Sequence, residues 1–135
     1  MLDGDGAILM RLGTLAFVGA MAPANLLHIV LDNGIHESTG GQASLSAGVD
    51  LCAVAAACGY RSCAEATSGE MLTRAIKAAG SSPGPYFIRL QTRASEDAMP
   101  PRIRWPAETI AARFSNALRE RPTSLIDKAA LTGAE

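Results

Sequence analysis

Apolar residues in the stretch 7–20 (AILMRLGTLAFVGA) recur at Ile8, Leu9, Leu12, Leu15, Ala16 and Val18, with Arg11 and Thr14 on another face. That spacing predicts one amphipathic helix beginning just after Gly6 and broken at Pro23. Leu26 to Leu31 is a short apolar run between turn signals, the pattern of a buried parallel strand. Asp50 is placed to cap a helix from Leu51 to Cys58 that Gly59 stops, and Ser68 to cap another from Glu70 to Ala79 that ends at Gly80. Arg61–Ala66 is a strand candidate, and Pro83-Gly84-Pro85 turns into the clearest later β-type run, Tyr86–Gln91. Such strand–helix alternation predicts an α/β fold, a parallel sheet covered by helices. From Thr92 the pattern changes: Ala94–Pro101 reads as a loop, Pro106–Leu118 as a helix with proline in its first turn, and Arg121–Glu135 as a polar tail of the kind that stays disordered. The chain accordingly divides into a core, residues 1–92, and a carboxyl-terminal part, residues 93–135.

Composition narrows the class. A chain of 135 residues with 48% apolar content is long enough for one core, but only 4% is aromatic, so packing falls to aliphatic side chains and alanine. A net charge of -1 offers no electrostatic case for nucleic acid, and the arginines between Arg89 and Arg121 are interspersed with acids, as on a solvated face. Cys52, Cys58 and Cys63 lack a metal-binding spacing and are expected as small buried thiols in a reducing cytoplasm. Asp3 and Asp5 stand where a signal peptide would be basic, and the apolar stretch Leu12–Ala22 is too short to span a bilayer, so no membrane partner is expected.

The candidate chemistry lies in two polar loops. Leu2-Asp3-Gly4-Asp5-Gly6-Ala7 precedes the first helix, and Asp32-Asn33-Gly34-Ile35 follows the first apolar strand. Asn33 comes 28 positions after Asp5, at a strand's carboxyl end, where open α/β sheets bind ligands. A carboxylate, an amide oxygen and a nearby carbonyl suit a hard cation such as magnesium, whose remaining ligands are commonly phosphate oxygens. Gly4 and Gly6 leave room for a diphosphate, and the free N–H groups of a helix starting there would face it. Asp-Gly alone is a common turn; the pairing with helix onset and with Asn33 carries the reading. The loop His36-Glu37-Ser38-Thr39-Gly40-Gly41-Gln42 is too long for a plain turn, and loops at strand ends often carry function. A local hydroxyl–backbone turn accounts equally well for Ser38 and Thr39, and His36 is by its setting as readily a plain exposed histidine. His28, inside the apolar strand, reads as a core histidine with its hydrogen bonds made.

The Gly4-Asp5-Gly6 and Asn33 pair resembles the cofactor motif of thiamine-diphosphate-dependent 2-oxo acid decarboxylases. The run from Leu31 to Gln42 looks most like phosphonopyruvate decarboxylases, and somewhat less like sulfopyruvate decarboxylase β subunits. The resemblance extends from Leu2 to about Gln91, with a looser match at Pro101-Arg102 and the helix holding Arg113, Phe114 and Leu118.

This resemblance implies a three-layer parallel sheet, helices on both faces, that binds thiamine diphosphate. It implies Mg2+ held by the side chains of Asp5 and Asn33 and the carbonyl of Ile35. Gly4, Gly6 and Ala7 would line the diphosphate, with His36 and Glu37 contributing. Ser38, Thr39, Gly40 and Gln42 would face the meeting place of cofactor and substrate, with His36, Ser38 and Thr39 as candidate catalytic groups. The substrate would be a 2-oxo acid with an anionic end. Such enzymes also need a pyrimidine-binding domain or subunit supplying an activating glutamate, which 135 residues have no room to encode. Only Met1-Leu2 precede the first loop, so the domain's opening helix and strand are expected to be lacking. A sheet edge left without its partner favours homo- or hetero-oligomers. The reading is thus a half-site, inactive alone; the alternatives are a non-catalytic fragment from a split gene or misplaced start, a sulfopyruvate decarboxylase β-type subunit, and a phosphate-binding module of another α/β family.

Overall fold

The computed structural model describes residues 1–93 and 103–120, in a chain that divides into two units, Met1–Glu96 and Asp97–Glu135. Along the first unit run β1 (Leu2–Gly4), α1 (Asp5–Met10), α2 (Thr14–Met21), β2 (Leu27–Asp32), β3 (Ile35–His36) and β4 (Gln42–Ala43). They are followed by α3 (Leu51–Ala57), β5 (Ser62–Ala66), α4 (Gly69–Ala79) and β6 (Tyr86–Gln91), and the second unit holds α5 (Ala107–Arg119). The main sheet has the order β1-β2-β6-β5, and each of its pairings is parallel. All four strands therefore end at the same edge, which receives Asp5, Asn33 and Thr92.

Register explains which side chains meet. His28, Phe87 and Cys63 are aligned across β2, β6 and β5, as are Val30, Arg89 and Glu65 two residues on. Parallel partners and residues two apart share a face, so these six point the same way. On that face Val30 and Phe87 pack against Ile8, Leu15, Leu51 and Ala55, giving the core beneath α1, α2 and α3. Across the sheet Ile88 and Ala66 are also buried, and α4 packs on β5 and β6, with Ile76 and Ala79 beside Leu27 and Tyr86. Helices thus lie on both faces, the three-layer α/β arrangement expected.

Capping residues act as their chemistry dictates. Asp50 accepts from the Ala53 N–H at 2.8 Å, and Ser68 accepts from the Met71 N–H at 3.2 Å. Gly59 follows α3 at φ +103, a conformation few side chains tolerate. Helix α5 starts one residue after Pro106, and Arg113 stacks its guanidinium over Trp105 at 3.5 Å within the second unit.

Four expectations change. The single helix after Gly6 is two: α1 begins at Asp5 itself, and the chain bends at Arg11–Gly13 before α2. The bend falls at Arg11, whose φ of −131 and ψ of 37 leave the helical region. A strand does precede the first loop, because Leu2–Gly4 pair with Ile29–Leu31. The loop after Asn33, expected only to be longer than a plain turn, contains strands: β3 and β4 form an antiparallel hairpin around a 3-10 turn, Glu37–Thr39. Finally, the three cysteines are free as expected but only half-buried. Burial pushes the Cys52 thiol up to about 11, and raises that of Cys63 as well. The expected loop Ala94–Pro101 and tail Arg121–Glu135 lie outside the described residues, as does the loosely matched Pro101-Arg102. No described helix is long and apolar enough to cross a membrane.

Candidate active site

Asp5 is the first residue of α1 and is buried, with 3% of its surface exposed. Ser44 Oγ donates to its Oδ2. The other carboxylate oxygen makes no hydrogen bond among the described residues. It is the oxygen free to meet a cation.

Asn33 leaves the end of β2 with its amide fixed from both sides. Its Oδ1 accepts from the Ile35 N–H at 3.1 Å, and its Nδ2 donates to Glu37 Oε2 at 2.9 Å. A donor on one side and a carboxylate on the other assign the amide orientation without ambiguity. A carbonyl oxygen has two lone pairs, so Oδ1 retains one for a metal. Gly34, at φ +75, makes the turn that carries the chain into Ile35.

These two loops share one cleft of about 390 Å³. Gly4, Asp5, Gly6 and Ala7 line it from the first loop, and Asn33, Ile35, His36, Glu37, Ser38 and Thr39 from the second. The imidazole of His36 lies directly over Gly6: a Cβ there would fall 2.3 Å from its Cε1. A side chain at Gly6 therefore has room only if the His36 ring moves aside. Gly40 and Gln42 stand apart from the cleft wall, where Gln42 Nε2 turns back to the Thr39 carbonyl at 3.5 Å. Thr39 Oγ1 donates to the His36 carbonyl at 3.3 Å, the local hydroxyl–backbone turn that competes with a catalytic role. Helix α1 has only six residues, so the long helix expected to aim its positive end at this cleft is a short one.

A cation-binding test on donor chemistry gives a fit. Among the described residues no three His, Cys, Asp or Glu side chains cluster to hold a metal. Asp5 and Asn33 instead line the cleft with a carboxylate and an amide oxygen, hard-oxygen donors of the kind Mg2+ accepts alongside phosphate oxygens.

Behind the cleft lies a network that the pattern of the sequence concealed. Ser46 Oγ donates to Asp32 Oδ1 at 2.8 Å, and Arg89 grips Asp32 Oδ2 through Nε and Nη2, both at 2.6 Å. Arg89 Nη1 reaches Glu65 Oε1 at 2.9 Å. Burial pushes Asp32 up, but hydrogen bonds from Ser46 and Arg89 and the adjacent guanidinium outweigh it and hold the carboxyl below its usual range. Burial alone would lower Arg89; its hydrogen bonds to Asp32 and Glu65 raise it instead. Arg89 is thus no part of a solvated arginine face. The available signal was a charge at matching positions of two strands, Glu65 and Arg89, side by side in the register.

His28 is buried as expected, but only half satisfied. Its Nδ1 lies 3.0 Å from Tyr60 Oη, while Nε2 has no hydrogen bond and sits 3.7 Å from Asp3 Oδ2. Its ring joins those of Tyr60 and Phe87 in a tilted cluster with centroids 5.4 to 6.1 Å apart.

Residues 1–90, which hold both loops and the whole sheet up to Leu90, match the family model described as thiamine pyrophosphate enzyme, C-terminal TPP binding domain. The chain belongs to the thiamine pyrophosphate enzymes. Within that family it is 53% identical over 115 residues to a phosphonopyruvate decarboxylase of Streptomyces viridochromogenes, covering 84% of this chain and 29% of the relative. The corresponding protein of Streptomyces hygroscopicus is 50% identical, with 84% and 28% covered. A sulfopyruvate decarboxylase subunit beta of Methanococcus maripaludis is 36% identical, with 88% of this chain and 63% of that subunit covered. The chain spans under a third of the length of the Streptomyces relatives and under two thirds of the methanococcal one.

Proposed function

We propose that this domain holds the diphosphate and Mg2+ of thiamine diphosphate, as one half of a decarboxylase acting on a 2-oxo acid with an anionic end, phosphonopyruvate or a close analogue. One observation carries the reading: Gly4–Ala7 and Asn33–Thr39, far apart in sequence, form the walls of a single cleft. Asp5, Asn33 and the Ile35 carbonyl would hold the metal, and Gly4, Gly6 and Ala7 would line the diphosphate with His36 and Glu37. When bound, the cofactor supplies an electron sink for loss of carbon dioxide from the substrate.

The chain's own residues orient and neutralise. Glu37 fixes the Asn33 amide by accepting from its Nδ2, so Oδ1 is presented to the cation without rotamer search. His36, held against Gly6, has ring nitrogens able to donate to a phosphate or phosphonate oxygen. Ser38 and Thr39 line the same cleft and would face the reacting end of the substrate, Thr39 once its hydroxyl releases the His36 carbonyl. A pyrimidine-binding domain or subunit would complete the site and provide its activating acid.

Calorimetric titration of the purified chain with thiamine diphosphate, with and without Mg2+, tests this half-site. Magnesium-dependent binding that Asp5→Ala abolishes is expected; binding indifferent to both would overturn the assignment. The methanococcal relative is by its name one subunit of an enzyme, and the chain covers more of it than of the Streptomyces proteins. That coverage favours a second reading, in which the chain is itself a β-type subunit. Co-purification with a pyrimidine-domain chain from the native source is expected under it, and isolation as a homo-oligomer would sink it.

A further inference from the structure

We propose that Ser44 and Ser46 are positioning residues for the metal-binding carboxylate of Asp5, coupling it through Asp32 to Arg89 in the middle of the sheet. The inference rests on the Mg2+ site argued above. Ser44 and Ser46 are both buried, at 5% and 2% exposure, with their hydroxyl oxygens 3.2 Å apart. Each hydroxyl has one proton, and each faces a buried carboxylate, Asp5 for Ser44 and Asp32 for Ser46. Each carboxylate oxygen accepts from its serine, so neither proton is left to join the two hydroxyls, and the link between them is the Ser46 backbone N–H, which donates to Ser44 Oγ at 3.4 Å. Ser44 therefore cannot rotate away from Asp5 without leaving Oδ2 unsolvated, and Asp5 is held with its other oxygen towards the cleft.

The backbone shows that this arrangement is enforced. Leu45, between the two serines, sits at φ +68 with its side chain 75% exposed. A non-glycine residue gains nothing from that conformation, which crowds its Cβ against the following carbonyl oxygen. An exposed leucine in it is explained by what the turn achieves: both neighbours point inward, one at each aspartate. Arg89 anchors the far end: its guanidinium holds Asp32 Oδ2, which fixes the carboxylate whose Oδ1 accepts from Ser46. The metal ligand is thereby tied to β6 as well as to its own helix.

The test measures Mn2+ binding by electron paramagnetic resonance in the presence of thiamine diphosphate, with the thermal midpoint recorded for each variant. Loss of an outer hydrogen-bond partner typically weakens metal binding 10- to 100-fold. Ser44→Ala is expected to raise the Mn2+ dissociation constant by about tenfold or more, and Ser46→Ala by a smaller factor, while Ser44→Thr restores binding. Leu45→Gly, which relieves the backbone and keeps both hydroxyls, should melt no lower than the wild type and bind Mn2+ equally well. Equal Mn2+ affinity in Ser44→Ala and the wild type overturns the proposal while leaving the site itself standing. A wild-type chain that takes up no Mn2+ overturns both. Should Ser44→Ala fail to fold, Ser46→Ala and Ser44→Thr decide: unchanged affinity in the first or failure of the second to bind refutes the coupling.

Discussion

Gly19 makes the most demanding packing contact in the core. A Cβ built on it would lie 1.6 Å from the Cys58 carbonyl oxygen and 2.5 Å from its carbon. A relaxed carbon-to-oxygen approach is about 3.3 Å, so Gly19→Ala must drive α2 and the end of α3 apart by roughly 1.7 Å. Both groups in conflict are backbone, so no side chain can swing aside, and the cost belongs at the upper end of overpacking, about 3 kcal/mol. Alanine returns about 1 kcal/mol through better helix propensity, leaving a net loss of about 2 kcal/mol. For a unit of this size that lowers the melting midpoint by about 8 to 16 °C. Gly13→Ala provides the control in the same hairpin of helices: φ is −58, and no heavy atom lies within 4 Å of the new carbon. It should raise stability by about 0.4 to 1 kcal/mol, because alanine narrows the unfolded ensemble without native strain. Urea denaturation of both variants gives the comparison. If Gly19→Ala unfolds at the wild-type midpoint, or Gly13→Ala falls below it, the close approach of α2 to Cys58 is not the constraint described.

Gly6→Ala should separate binding from folding: the new methyl displaces the His36 ring rather than backbone, so the melting midpoint stays within a few degrees. Thiamine diphosphate affinity should fall by about tenfold or more, and unimpaired binding by calorimetry would show that His36 need not sit there. His28 predicts a pH dependence. Burial, partly offset by Asp3, lowers its pKa below the ordinary 6.5, so the folded chain keeps it neutral where the unfolded chain takes a proton. Stability should fall as pH drops from about 6.5 towards the folded value, and His28→Gln should flatten that slope in urea midpoints measured between about pH 5 and 7. A slope unchanged by the substitution would assign it to other groups.

Local signals accounted for much of the architecture. The apolar runs of β2 and β6, the caps at Asp50 and Ser68 and the stop at Gly59 each announce themselves within a few residues, because propensity and capping are short-range effects. The elements that escaped depend on contacts distant in sequence. Strand β1 exists only because Ile29–Leu31 lie beside it, and β3 and β4 are too short to show a period of two. The break between α1 and α2 falls at Arg11, which no local signal marks, and the need for Gly19 turns on a carbonyl some forty residues away. At the cleft, Asp5 and Asn33 stood out because their spacing is unusual and their chemistry obvious. Ser44, Ser46, Asp32 and Arg89 did not, since serines after a glycine-rich loop and an arginine in a late strand look like solvated positions until register places them together. What conceals such a network is that each member is ordinary alone.

The strand order has a consequence for how the domain comes into being. Every candidate ligand is made within the first 39 residues, yet β2, which positions Asn33, is flanked by β1 and by β6, the last strand. Loop closure grows slowly with length, about 0.6 kcal/mol per doubling, so thermodynamics does not forbid the long excursion between them. Timing is different: during synthesis at about 5 to 20 residues per second, β2 waits several seconds with one side unpaired. Arg89, the clamp on Asp32, arrives on that same last strand. A nascent chain halted before Tyr86 would hold the complete set of cleft residues and the β1–β2 pair, but neither the strand that joins β2 to β5 nor the clamp on Asp32.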